Sequence, residues 1–250
     1  MSSETLNKYK KLLIFLLIIF TISSCSKDDD EISMGEGESE ENLSELSLEE
    51  LSIMEYFKEI SLGLEFGNAG KETQKWKNEM KIFVGGEPDT ELMDELEKVK
   101  TEINGLATDG FKMNIVNDSL QSNYYIFFGS RTDYSEMFPR LSDLVENNWG
   151  LFSIYWNNQG YLTSGHMYID ITRADEIESK HLLREELTQS LGLAKDSPKF
   201  LQSIFQSSWT KTTKYTALDK DLISVLYHPK MVAGLNEEDV DEVLIDILTQ

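Results

Sequence analysis

Between His181 and Asp196 the chain reads HLLREELTQSLGLAKD. At about 100° per residue, His181, Glu185, Gln189 and Gly192 fall on one narrow helical stripe. Leu183, Leu187 and Leu191 fall on another, which should face the core. Glu186 projects beside the polar stripe, and Gly192 should stop or bend the helix. An imidazole and carboxylates on one face are metal-ligand types. Glu185 is a legitimate zinc ligand, whereas Gln189 offers only a neutral amide oxygen. Three readings stand side by side. His181, Glu185 and Asp196 make a His-plus-carboxylate metal set. Alternatively the stripe is a polar network, with Glu185 paired to Lys195, Arg184 or His181 and Gln189 bonded to carbonyls of a neighbouring strand. In the third reading it lines a binding cleft.

Other chemistries fare worse. Adjacent Glu185 and Glu186 cannot be a glycosidase pair, because those two carboxyls must face each other across a sugar; a distant acid such as Asp170 would be needed. A serine triad needs a histidine base. His166, His181 and His228 are the three histidines, and no nucleophile-elbow string accompanies them. His166 and His228 read as strand or surface residues. Trp76, Trp149, Trp156 and Trp209 read as core or groove packing rather than sugar platforms. The net charge of -22 argues against nucleic acid, which requires a basic face, and against docking on anionic lipid by charge. With Cys25 alone, the chain has no internal disulfide and no thiolate zinc cluster.

The elements that must position the stripe follow from pattern. Ser47 and Glu50 form a capping box, so a helix should follow with Leu51, Met54, Phe57 and Ile60 inward. Met80 to Val84 is a strand closed by Gly85-Gly86. Leu92, Leu96, Val99 and Ile103 mark a helix begun near Asp89 and stopped near Gly105. Strands are expected at Phe111 to Val116, Tyr124 to Phe128, Leu151 to Trp156 and His166 to Ile171. In the last, Met167, Ile169 and Ile171 alternate with His166, Tyr168 and Asp170, so one face should be buried. Helices are expected at about 177–193, 218–227 and 237–248, with Asn236 capping the last. The hydrophobic fraction of 40% is enough for a sizeable core, and the element order suggests one α+β domain over residues 47–250.

The string EELTQSLGLAK, residues 185–195, resembles the metzincin helix H-E-x-x-H-x-x-G-x-x-H with every ligand changed. Glu185, Gln189 and Lys195 stand at the ligand positions, Glu186 at the general base and Gly192 at the turn. Ser203 to Phe205 lies where the methionine turn would sit, and residues 218–227 look like the last helix of matrixin-like domains. With LYHPKMVAGL at 226–235, the chain also resembles an uncharacterised bacterial family, a domain of unknown function, with an E-E-x-x-Q-x-x-G-L signature. That likeness runs from about Tyr56 to Leu235. These resemblances imply a zincin-like α+β fold, its mixed sheet packed on an active-site-type helix that crosses behind the last strand. They imply a degenerate metallopeptidase-like domain that binds a peptide or glycan without cleavage, with no cofactor. The rival is an active zinc peptidase, with Glu186 as base and metal drawn from His181, Glu185, Gln189 and Asp196.

The first 24 residues read as a signal peptide: Lys8, Lys10 and Lys11 precede the apolar run Leu12 to Ile22. Ile22-Ser23-Ser24-Cys25 resembles a bacterial lipobox, which implies lipid on Cys25 and a membrane anchor. Ser26-Lys27-Asp28-Asp29-Asp30-Glu31 looks like the surface-export signal of Bacteroidetes lipoproteins, which implies an outer-membrane protein at the cell surface. From Asp28 to Glu50 there are eleven carboxylates and no Lys or Arg. Residues 25–46 therefore read as an acidic, disordered tether.

Overall fold

The computed structural model describes residues 46–64 and 70–249. The expected signal peptide and Cys25 lie outside them. Of the expected tether only Leu46 is described, and it is buried against the core rather than solvated.

Helix α1 (Leu48–Ser61) begins at the expected capping box, with Ser47 and Glu50 satisfying each other's backbone donors. Met54, Phe57 and Ile60 are buried, while Leu51 packs at the margin. There follow β1 (Lys75–Trp76), β2 (Met80–Gly86), α2 (Thr90–Leu106), β3 (Met113–Ile115) and β4 (Tyr124–Gly129). Two short helices, α3 (Arg131–Met137) and α4 (Ser142–Asn147), precede the hairpin of β5 (Gly150–Trp156) and β6 (Tyr161–Asp170). The chain ends in α5 (Glu176–Gln189), α6 (Ala217–Leu226) and α7 (Glu237–Leu248), the last capped by Asn236 as expected.

Among the described residues the sheet has six strands in the order β1-β6-β4-β2-β3, with β5 added on β6. Every pairing is parallel except β5 with β6. The protein is thus a mixed α/β structure. Its mostly parallel sheet explains why the reading of residues 166–171 needs correction: both faces of β6 are buried. Met167 and Ile169 face the main core. Tyr168 enters a second cluster with Phe127, Tyr134, Val145 and Leu151 beneath α3 and α4. Helices on both faces of a parallel sheet leave no solvated side.

Helix α5 packs against β5, β6 and α2. Its first turn is fixed by a capping box between Asp175 and Glu178. Leu183, Leu187 and Leu191 are fully buried, as their spacing requires; each contributes about 1.5–3 kcal/mol relative to exposure. The helix ends at Gln189, earlier than expected from the pattern. Gly192 then takes φ 121°, and a Cβ there would sit 1.9 Å from the Gln74 carbonyl oxygen. This close approach admits only glycine and turns the chain back along α5.

Candidate functional site

The geometry of the site is set by α5 as floor and β5 as wall. Glu186 lies under the first residue of β5, where a Cβ on Gly150 would meet its Oε1 at 2.5 Å. Glycine at that one position lets helix and strand touch. The opposite wall is the segment of residues 206–209. That segment is held firmly: Ser197 and Gln206 form a bridge, and Ser203 donates to the buried Asp219 at 2.6 Å. Asp219 also accepts from the backbone of Ile204 and Thr216, and Tyr56 donates to Ser203 at 3.1 Å. Ile204 and Phe205 are fully buried behind it.

Between these walls runs a groove of about 940 Å³. His181, Glu185, Glu186, Gln189 and Asp196 all line it. The stripe expected from helical spacing holds for His181, Glu185 and Gln189, whereas Gly192 lies past the helix end against Gln74 and outside the lining; Asp196 returns to the groove after that turn. Lys195 does not. Its side chain lies beside Gly63, outside the groove lining, and its backbone N–H donates to Ile60. The third ligand-type position is thus filled by its neighbour, a carboxylate in place of the expected cation.

The side chains are tied in pairs. His181 Nε2 lies 3.2 Å from Glu185 Oε2, while its Nδ1 lies 2.8 Å from the Thr212 carbonyl. Burial would depress this imidazole's pKa, but the Glu185 carboxylate and the Thr212 carbonyl outweigh burial and hold it above its ordinary value. The Gln189 amide donates to Asp196, where a strand carbonyl had been expected. Among the described residues, no three His, Cys, Asp or Glu side chains are grouped closely enough to enclose a metal.

Arg184, offered by sequence as a partner for Glu185, points the other way. It is 1% exposed, bonds Glu95 at 2.6 Å and Glu102 at 2.9 Å, and lies over the Tyr215 ring. Asp170 is likewise committed to structure. It accepts from Tyr168, Thr172 and Arg173, and these hydrogen bonds outweigh burial and lower its pKa. His228 sits in the turn after α6, where its Nδ1 accepts from Lys230 N–H. His166 is buried in β6. Tyr134 bonds its Nδ1 at 2.6 Å, Tyr155 lies 3.3 Å from its Nε2, and Phe138 stacks on the ring at 3.9 Å. Burial pushes its pKa down to about 4, so the ring is neutral near pH 7.

Trp76 is core, with its indole N–H on the Ser190 carbonyl. Trp149, Trp156 and Trp209 line the groove, as does Tyr155. Sequence reasoning missed Gly150 and the outer edge of β5. Asp170 N–H donates to the Trp149 carbonyl, which sets the alternation of the pair. Leu151, Ser153 and Tyr155 turn their backbone groups toward β6, whereas Gly150, Phe152 and Ile154 turn theirs outward. Among the described residues, no strand pairs on that side. An antiparallel edge leaves no mark in a strand's own residue types.

No curated protein matches the chain in sequence. Among solved structures, that of myroilysin is similar at 12% identity and a TM-score of 0.40, covering 62% of this chain and 96% of that one. A likeness of that size fixes no chemistry. The family model described as "Protein of unknown function (DUF2927)" matches residues 50–246, most of the chain, and the chain belongs to that family.

Proposed function

We propose that the groove beneath β5 holds an extended peptide or glycan without cutting it, in a zincin-like, degenerate metallopeptidase-like domain. The domain would be anchored through lipid on Cys25 at the outer membrane and exposed at the cell surface. One observation carries the binding reading. The polar side chains of the stripe share a single groove, yet they satisfy one another as His181–Glu185 and Gln189–Asp196. A ligand meets a preformed, hydrogen-bonded floor. The outward backbone groups of Gly150, Phe152 and Ile154 favour a peptide over a glycan, because a strand laid along them gains main-chain hydrogen bonds.

The rival is a metal-dependent peptidase. One observation favours it: the Thr212 carbonyl fixes Nδ1 of His181 and leaves Nε2 facing Glu185, the arrangement of a histidine ready to ligate. There Asp196 would have to leave Gln189, and Glu186 would serve as base. Zinc content before and after chelation separates the two. The purified protein is expected to hold no stoichiometric zinc and to keep its Tm in chelator. Bound metal that raises Tm, with peptide hydrolysis abolished by Glu186→Gln, would establish the rival.

A further inference from the structure

We infer that the groove selects a cationic partner: a peptide segment bearing lysine or arginine, its charge set between the α5 carboxylates and the exposed indole of Trp209. This rests on the groove-binding reading above and names the class of ligand. The carboxylates lining the groove are Glu178, Glu185, Glu186 and Asp196; among the described residues His181 is the one titratable base beside them, and no Lys or Arg lines it. Glu178 is paired with Lys211 at 3.0 Å and Glu185 with His181 at 3.2 Å, and among the described residues the lining still carries more carboxylates than basic groups. An acidic ligand is repelled there, and an apolar one would strip water from carboxylates without repaying the loss.

The second, independent feature is aromatic. Trp209 is 55% exposed, Tyr155 53% and Trp156 38%, unusual exposure for side chains of this size. Trp209 meets His181 with ring centroids 6.2 Å apart, which brings its indole beside the carboxylate stripe. Aromatic faces attract ammonium and guanidinium groups, and the fold already uses such contacts, among them Arg184 over Tyr215 at 4.5 Å and Arg173 over the Trp149 indole at 5.8 Å. A chain paired along β5 turns alternate side chains toward one wall of the groove, so basic residues at every second position fit best.

The test measures fluorescence anisotropy of a labelled decapeptide of alternating serine and lysine, against the same peptide with every lysine acetylated, at physiological salt. The lysine form is expected to bind at least about 10-fold more tightly. Glu185→Gln with Asp196→Asn should erase that contrast, and Trp209→Ala should reduce it, whereas Asp94→Asn with Glu97→Gln on the exposed side of α2 should not. Melting curves confirm that each variant is folded. Binding of both peptides with equal affinity overturns the cationic inference and leaves the groove reading standing. An equal loss of contrast in the α2 variant overturns it as well, by assigning the effect to overall charge. If neither peptide binds, and neutral extended peptides also fail, both readings fall together.

Discussion

Helix α5 carries two polar sets on opposite sides, and they are built on different terms. Toward α2, Arg184 and Thr188 are sealed: Arg184 holds Glu95 and Glu102, and Thr188 holds its own i−4 carbonyl and the Tyr215 hydroxyl. Toward the groove, among the described residues, His181, Glu185 and Gln189 are tied to each other, to Asp196 and to the segment at 210–212. The sealed set has no capacity left over and its whole effect is on stability. The groove set lines an open cavity, where the proposed ligand would meet it. Both sets are internally bonded; they differ in that one is enclosed by protein and the other lines a cavity.

Breaking the sealed side should have the largest effect. Arg184→Ala leaves Glu95, 4% exposed, with Lys98 at 3.5 Å in place of Arg184 at 2.6 Å, and should cost roughly 3 kcal/mol in urea unfolding. A loss near zero would show that the two sides of the helix are alike. His166, buried between Tyr134 and Tyr155, gives the next effect. Its folded pKa of about 4 lies below the unfolded value, so the native state prefers the neutral ring. Stability should therefore fall as pH drops from about 6.5 to about 4, by roughly 3 kcal/mol, and then level off from this source. His166→Gln should flatten that slope, and an unchanged slope would refute the assignment.

Thr188→Val comes next, because it orphans the buried Tyr215 hydroxyl, and the expected cost is about 1–3 kcal/mol. Smallest is Glu185→Gln on the groove side, expected to cost under about 1 kcal/mol near neutral pH. Its sign with pH is opposite to that of His166. The His181 pKa is raised in the fold, so the Glu185 contribution is fully present below the unfolded histidine value and is lost as pH rises through the folded one. A Glu185→Gln cost as large as that of Arg184→Ala would erase the distinction between the sides.

Much of this was legible in residue order. The leucine spacing of α5, the capping box at Ser47, and Asp89 and Asn236 as caps are local signals, and local physics decided them. The polar stripe was legible for the same reason, since helical period alone places His181, Glu185 and Gln189 together. The identity of their partners was not. Lys195 and Asp196 are adjacent in sequence, and contacts distant in sequence, Gly192 on Gln74 and the Lys195 N–H on Ile60, set which of the two reaches the groove. Helices α3 and α4 escaped notice because they are short and bury little beyond Tyr134 and Val145. The burial of both faces of β6 escaped because alternation describes one strand and is silent about layers above and below the sheet.

The lone antiparallel strand has a colloidal consequence. A sheet margin with outward amides is a template for another copy of the same chain, and Tyr155 and Trp156 would make such pairing adhesive. Two devices blunt it. The register slips between Tyr155 and Trp156, which spoils a long straight match. The acid lining beside that margin also sets like charges face to face whenever two molecules approach through it. Dispersal of the protein should thus weaken as ionic strength rises and that mutual repulsion is screened.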